Sequence, residues 1–157
     1  MTTMREQAAR GLRAGDRFEI TRTFTRQEVS AFAALTRDYN PIHVEPRFAA
    51  AQGLQGPVCH GLLVASLLTE IGGQLAWLAS GMSFRFRAPV YPGQAVRCVL
   101  EVERLEGDGR ARARVQMRNP DGALVLEAEL YGRLPQGEPQ AVLREMLDAG
   151  DPTNPLD

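Results

Sequence analysis

The amino-acid pattern points to an α+β fold, with a curved antiparallel sheet of about five strands wrapped around one long helix. Three observations predict it. From Gly61 to about Leu78 the apolar residues lie all round a helical axis, the pattern of a helix buried on every side. Downstream, Val96, Cys98, Leu100 and Val102 alternate with charged neighbours, as do Ala111, Ala113, Val115 and Met117. Leu124, Leu126, Ala128 and Leu130 repeat the alternation, and Glu106-Gly107-Asp108-Gly109 and Asn119-Pro120-Asp121-Gly122 supply turns between them. One helix that is apolar all round needs a sheet that curls around it.

Taken in order, residues 1–14 read as a frayed lead-in, and Asp16 to Phe24 as a first strand through Phe18 and Ile20. Thr25-Arg26-Gln27-Glu28 is a capping box that opens a short amphipathic helix carrying Val29, Phe32, Ala33 and Leu35. Residues 44–57 read as irregular, with one helical turn after Pro46. After the long helix, Phe84 and Phe86 alternate with Arg85 and Arg87 as the strand that precedes the three-strand meander. The arginine stripe of these strands faces Glu101, Glu103, Glu127 and Glu129 on adjacent strands, which predicts a cross-paired, solvated outer face. One domain over 1–134 is expected, followed by a tail over 135–157. In the tail, Pro139 to Leu147 reads as a short helix and the final DPTNPLD as disordered.

The chain has 157 residues and a formal net charge of −1, so neither nucleic acid nor an anionic membrane surface is an expected partner. All 18 basic residues are arginine. Without lysine, a Schiff base, a pyridoxal-phosphate anchor and a phosphate-binding P-loop are excluded, since each needs that amine. Cys59 and Cys98 lack the spacing of a metal or redox pair and read as buried thiols. MTTMREQAARGLRAGDR has no apolar core of a secretory signal, so the expected compartment is the cytoplasm. A membrane span over the apolar run is opposed by Glu70, Gln74 and the Gly72-Gly73 pair.

Chemistry concentrates between Leu35 and Ala65, which contains both histidines, His43 and His60. Asp38 precedes His43 by five residues, and on a continuous helix their side chains would point about 140° apart. Pro41 forbids that helix: it lacks an N–H and pushes Asn40 out of the α region, folding Asp38 and His43 toward one point. Gly56-Pro57-Val58-Cys59-His60-Gly61 then reads as a breaker before a buried helix N-terminus, whose free N–H groups aim outward.

These residues carry a resemblance. Asp38-x-Asn40-Pro41-Ile42-His43, then Phe48-Ala49-Ala50, Gly53-Leu54, Pro57-Val58-x-His60-Gly61-Leu62-Leu63 and Phe86-Arg87-Ala88-Pro89-Val90 with Gly93 resemble the MaoC-like (R)-specific enoyl-CoA hydratases and dehydratases. The resemblance runs from about Phe18 to Tyr131. It implies the hot-dog fold, an edge-to-edge homodimer, and a hydro-lyase that interconverts trans-2-enoyl-CoA and (R)-3-hydroxyacyl-CoA. No metal or redox cofactor is expected, coenzyme A being part of the acyl-CoA thioester substrate.

Hydration of an enoyl thioester needs an activated water, a proton for the α-carbon and a donor for the developing oxyanion. Asp38 and His43 are the candidates for the first two, and the N–H of Gly61 for the third. As substrate-binding candidates, Asn40 reads chiefly as a turn-former. Ser66 and Thr69, with Gly73, form a small-residue stripe that serves either close packing or an acyl tunnel. Arg85 and Arg87 are candidates for coenzyme A phosphates, against the solvated role usual for strand arginines. His60 reads as structural, holding the loop before Gly61. The alternatives are a (R)-3-hydroxyacyl-carrier-protein dehydratase running the same chemistry, or a non-catalytic hot-dog subunit that binds acyl thioesters.

Overall fold

Alternation builds the sheet. In the computed structural model, which describes residues 1–156, five strands form one antiparallel sheet in the order β1-β3-β4-β5-β2. They are β1 (Arg17–Thr23), β2 (Leu78–Phe86), β3 (Ala95–Leu105), β4 (Arg110–Arg118) and β5 (Leu124–Arg133). The last three form the expected meander, with Leu100 opposite Val115 and Val115 opposite Ala128. One set of alternate side chains, including Val96, Cys98, Leu100, Val102, Val115, Met117 and Leu130, faces the core and is fully buried. The other set forms the predicted ion pairs: Arg87 with Glu127 at 2.5 Å, Arg112 with Glu129 at 2.6 Å, and Arg114 with Glu101 at 3.6 Å.

The sheet curves around helix α4 (Gly61–Gln74), whose Leu63, Val64, Leu67, Leu68 and Ile71 belong to the same core cluster. Register shifts at Ala79/Gly81 and Val102/Arg104 supply irregularities that let strands bend. The strands and the helix thus make the α+β hot-dog arrangement that the sequence predicts.

Helix α4 differs from the expectation in two respects. It ends at Gln74 and not near Leu78, because Ala76 turns into the left-handed region (φ 52°) and the Trp77 N–H closes back onto the Gly72 carbonyl. Leu78 then starts β2, which is longer than the Phe84–Phe86 alternation indicates. Nor is α4 buried on every side: Leu62, Thr69 and Gly73 are exposed along one face, with Ser66 half-buried between them.

Both termini are more ordered than the sequence suggests. Residues expected to fray form α1 (Met4–Arg10), which starts at a capping box between Thr3 and Glu6 and buries Ala8 and Ala9. The predicted C-terminal helix is α5 (Glu138–Asp148), which packs on α1 and buries Leu143. Beyond it, residues 151–156 are tied down where disorder is expected. Buried Asp151 pairs with Arg5 at 2.7 Å, and Asn154 exchanges two hydrogen bonds with Gln74. Arg5 also donates to the Gly73 carbonyl, so one guanidinium joins the N-terminus, the end of α4 and the C-terminal segment. Asp157 lies outside the described residues.

Candidate active site

Helix α2 (Arg26–Thr36) opens at the Thr25/Glu28 capping box and stops at Arg37, which adopts the left-handed conformation (φ 61°). Asn40 is extended (φ −54°, ψ 123°), as suits a residue before proline, Pro41–His43 form a single 3₁₀ turn, and Pro46–Ala51 form the short helix α3. The Asn40 carboxamide accepts from the Ile42 N–H, so it makes the turn as expected. This sequence of bends turns Asp38 back over His43, placing its Oδ2 3.8 Å from His43 Nε2.

Loop 57–60 holds the dyad segment from the other side. The Val58 N–H donates to the Ile42 carbonyl, and His43 Nδ1 donates to the Val58 carbonyl at 2.8 Å. A carbonyl can only accept, so Nδ1 carries the proton and Nε2 is left as an acceptor facing Asp38. The Cys59 N–H binds the Val90 carbonyl, which anchors the loop to the chain beyond β2. Burial pushes the Cys59 thiol up to about 11, so it carries little thiolate at neutral pH and is no nucleophile.

The dyad opens onto a cavity of about 710 Å³, within the range usual for small-molecule sites. Asp38, His43, His60, Gly61, Phe86 and Arg87 line it, together with apolar Phe32, Val90 and Leu126. The Asp38 side chain is 49% exposed and that of His43 10%, so the carboxylate meets solvent while the imidazole is largely enclosed. Gly61 opens α4 with no side-chain cap and lines the cavity, so the N-terminus of that helix, with the positive end of its dipole, lies at the site.

Of the sequence candidates, Asp38, His43, Gly61 and Arg87 meet at this cavity, although the Arg87 guanidinium is engaged by Glu127. Arg85 lies opposite Glu127 on the outer face of the sheet, away from the dyad. The Ser66 and Thr69 hydroxyls bind the Leu63 and Ser66 carbonyls of their own helix, at 2.5 and 2.7 Å. Phe86, expected as a strand residue and as part of the family pattern but given no role at the site, lines the cavity. Its ring stands where a Cβ on Gly61 would sit, 2.6 Å from that position. The space freed by the missing side chain is therefore occupied by the Phe86 ring. Asp38, His43 and His60 have possible ligand atoms within 4.8 Å of one another. The two imidazoles are stacked, however, at 3.7 Å and 25°, so their in-plane lone pairs run side by side and do not converge on one ion.

An acid and an imidazole facing one another beside the uncapped N-terminus of a helix wrapped by five strands define a hot-dog protein equipped for acid/base work. Residues 12–122 match the family model described as MaoC like domain. The (R)-specific enoyl-CoA hydratase of Aeromonas caviae is 36% identical over 133 residues, which cover 82% of this chain and 99% of that protein. The solved structure of the (R)-hydratase from A. caviae involved in PHA biosynthesis aligns with a TM-score of 0.74 at 35% identity, covering 80% and 98% of the two chains. An R-hydratase from Pseudomonas aeruginosa, solved without ligand, aligns with a TM-score of 0.75 at 25% identity over 82% and 86%. The chain belongs to the MaoC-like domain family.

Proposed function

We propose that this protein is an enoyl-CoA hydratase that adds water to trans-2-enoyl-CoA to give (R)-3-hydroxyacyl-CoA, and runs the reverse dehydration. The observation that carries the reading is the 3.8 Å separation of Asp38 Oδ2 and His43 Nε2 at the cavity. That gap is too long for a direct hydrogen bond, yet one water about 2.8 Å from each atom closes the triangle. Both groups accept, so the water's two hydrogens are held and its lone pair is free for the β-carbon. As the C–O bond forms, one dyad member takes a proton and the electron pair moves onto the thioester oxygen. The N–H of Gly61, aided by the helix dipole, receives that developing charge. Delivery of the proton to the α-carbon restores the thioester. No metal or redox cofactor enters this scheme.

The name of the Aeromonas caviae relative, (R)-specific enoyl-CoA hydratase, supports the CoA ester as substrate. Hydration of crotonyl-CoA, followed as loss of the enoyl thioester absorbance, tests the reading. A folded protein that leaves the absorbance unchanged would favour the non-catalytic alternative, and a kcat/KM orders of magnitude higher on a carrier-linked enoyl group would favour the carrier-protein dehydratase.

The working unit in this reading is a cytoplasmic homodimer. β2 is an edge strand without a single buried residue, and Leu78, Met82 and Phe86 are 72%, 41% and 57% exposed along it. Antiparallel pairing of two β2 strands would cover that edge in one continuous sheet. Sedimentation velocity should give twice the chain mass, and Met82→Asp should shift it toward the monomer.

A further inference from the structure

We infer that His60 is the positioning residue that sets Asp38 and His43 in register, an inference that rests on the hydratase reading above. His60 occupies the N-cap of α4 but makes none of the side-chain bonds that a cap residue ordinarily makes to the helix amides. Its imidazole turns the other way. Nε2 donates to the backbone carbonyl of Asp38 at 3.1 Å, and the ring face stacks on His43 with centroids 3.7 Å apart. Phe32 closes in on the ring at 5.0 Å and a 58° tilt, and the residue is 2% exposed. One rigid side chain therefore touches both members of the dyad.

Each member needs that contact. Asp38 follows a left-handed residue and is half exposed, and its other local ties are two long bonds: its N–H to Thr36 Oγ1 and its Oδ1 to the Asn40 N–H, both at 3.3 Å. The bond from His60 is the one that anchors the Asp38 backbone to the core side of the site. His43 is pinned through Nδ1 to Val58, which fixes one axis but leaves the ring free to rock about it. The face of His60 removes that motion, so Nε2 stays aimed at the Asp38 carboxylate. Among the described residues His60 Nδ1 is buried with no hydrogen-bond partner, a burden that a phenylalanine of similar shape would not carry. A purely structural side chain has no need of that unpaired nitrogen, whereas a ring that must both donate to Asp38 and stack on His43 does.

Two variants separate the contacts. His60→Phe keeps a stacking ring and loses the N–H, and His60→Gln keeps an N–H and loses the ring. In each, kcat on crotonyl-CoA should fall by about 10- to 100-fold, the scale set by ångström-level misplacement, with KM changed by less than about threefold. In an Asp38→Asn background, adding His60→Phe should change the rate by less than about twofold, because the effect acts through Asp38. The downfield His43 Nδ1–H resonance should be sharp in the wild type and broaden in the His60→Gln protein. Wild-type rates in both variants, a full multiplicative loss in the double mutant, or an unchanged resonance would overturn the assignment. Absence of hydration by the wild type would instead overturn the hydratase reading, leaving the resonance to decide the role of His60.

Discussion

His43 Nε2 faces the Asp38 carboxylate across 3.8 Å while the opposite nitrogen of the same ring is tied to the Val58 carbonyl at 2.8 Å. The tie fixes which nitrogen accepts, so acid and imidazole present two acceptors to one water. They are therefore expected to act as a unit. Asp38→Asn and His43→Ala should each lower kcat by at least about 10², and the double mutant should be little worse than the slower single. Steady-state rates on folded variants check this, and near-normal turnover in either single mutant would defeat it.

The ring of Phe86 over Gly61 predicts a second outcome. A methyl at position 61 must displace that ring, but Phe86 is 57% exposed and has room to shift along the cavity wall, so Gly61→Ala should fold with little change in Tm. Activity should suffer more than stability, because the displaced ring enters the cavity beside the N–H assigned to the oxyanion. Adding Phe86→Ala to Gly61→Ala should recover part of the lost kcat/KM. If the double variant is no faster than Gly61→Ala, the ring is not the cause of the loss.

Acyl length is tested at Gly73. A Cβ there meets nothing within 4 Å, and the residue lies on the exposed face of α4 with Leu62, Ser66 and Thr69. Gly73→Leu should therefore leave the fold intact. If the acyl chain runs along this face, the variant should lose the longest enoyl substrates first, well before crotonyl-CoA, because about three α4 turns, roughly 16 Å, separate Gly61 from this point. Equal loss at every length would assign the stripe to packing between copies.

One water held on one side of the substrate has a stereochemical consequence. The oxygen delivered to the β-carbon and the proton returned to the α-carbon come from the same face, so addition should be syn. Hydration of crotonyl-CoA in deuterated water, with hydrolysis and analysis of both centres, should give the syn (R) product. Anti addition would rule out the single-water mechanism, and an (S) product would rule out the (R)-hydratase reading.

The terminal clasp makes a prediction in acid. The Thr153 hydroxyl, and then the Arg5 guanidinium, hold the Asp151 carboxyl below the usual carboxylate range. Its folded value is depressed, so its contribution is fully present above the ordinary aspartate value of about 3.9 and is lost as pH falls through the folded value. Asp151→Asn should lower Tm near neutral pH, and the gap to the wild type should close in acid. A gap that stays constant or widens on acidification would show that the ion pair is not responsible.

Local chemistry accounts for the features legible along the chain. Pro41 and Asn40 bend the chain so that Asp38 and His43 meet, the Thr25/Glu28 box starts α2, and period-2 alternation with Gly-bearing turns lays down β3, β4 and β5. Each depends on residues a few positions apart, so its signal is written in spacing. The α1 signal was also present, as Thr3 and Glu6 repeat the spacing of Thr25 and Glu28. Long-range packing settled the rest: the place of β2 at the sheet edge, the exposed face of α4, the Arg5–Asp151 clasp, Phe86 over Gly61 and His60 against both dyad members. These are contacts between residues distant in sequence. Hydrophobic periodicity says that a face must be covered but not by which segment, and partner choice is settled only when the whole chain packs.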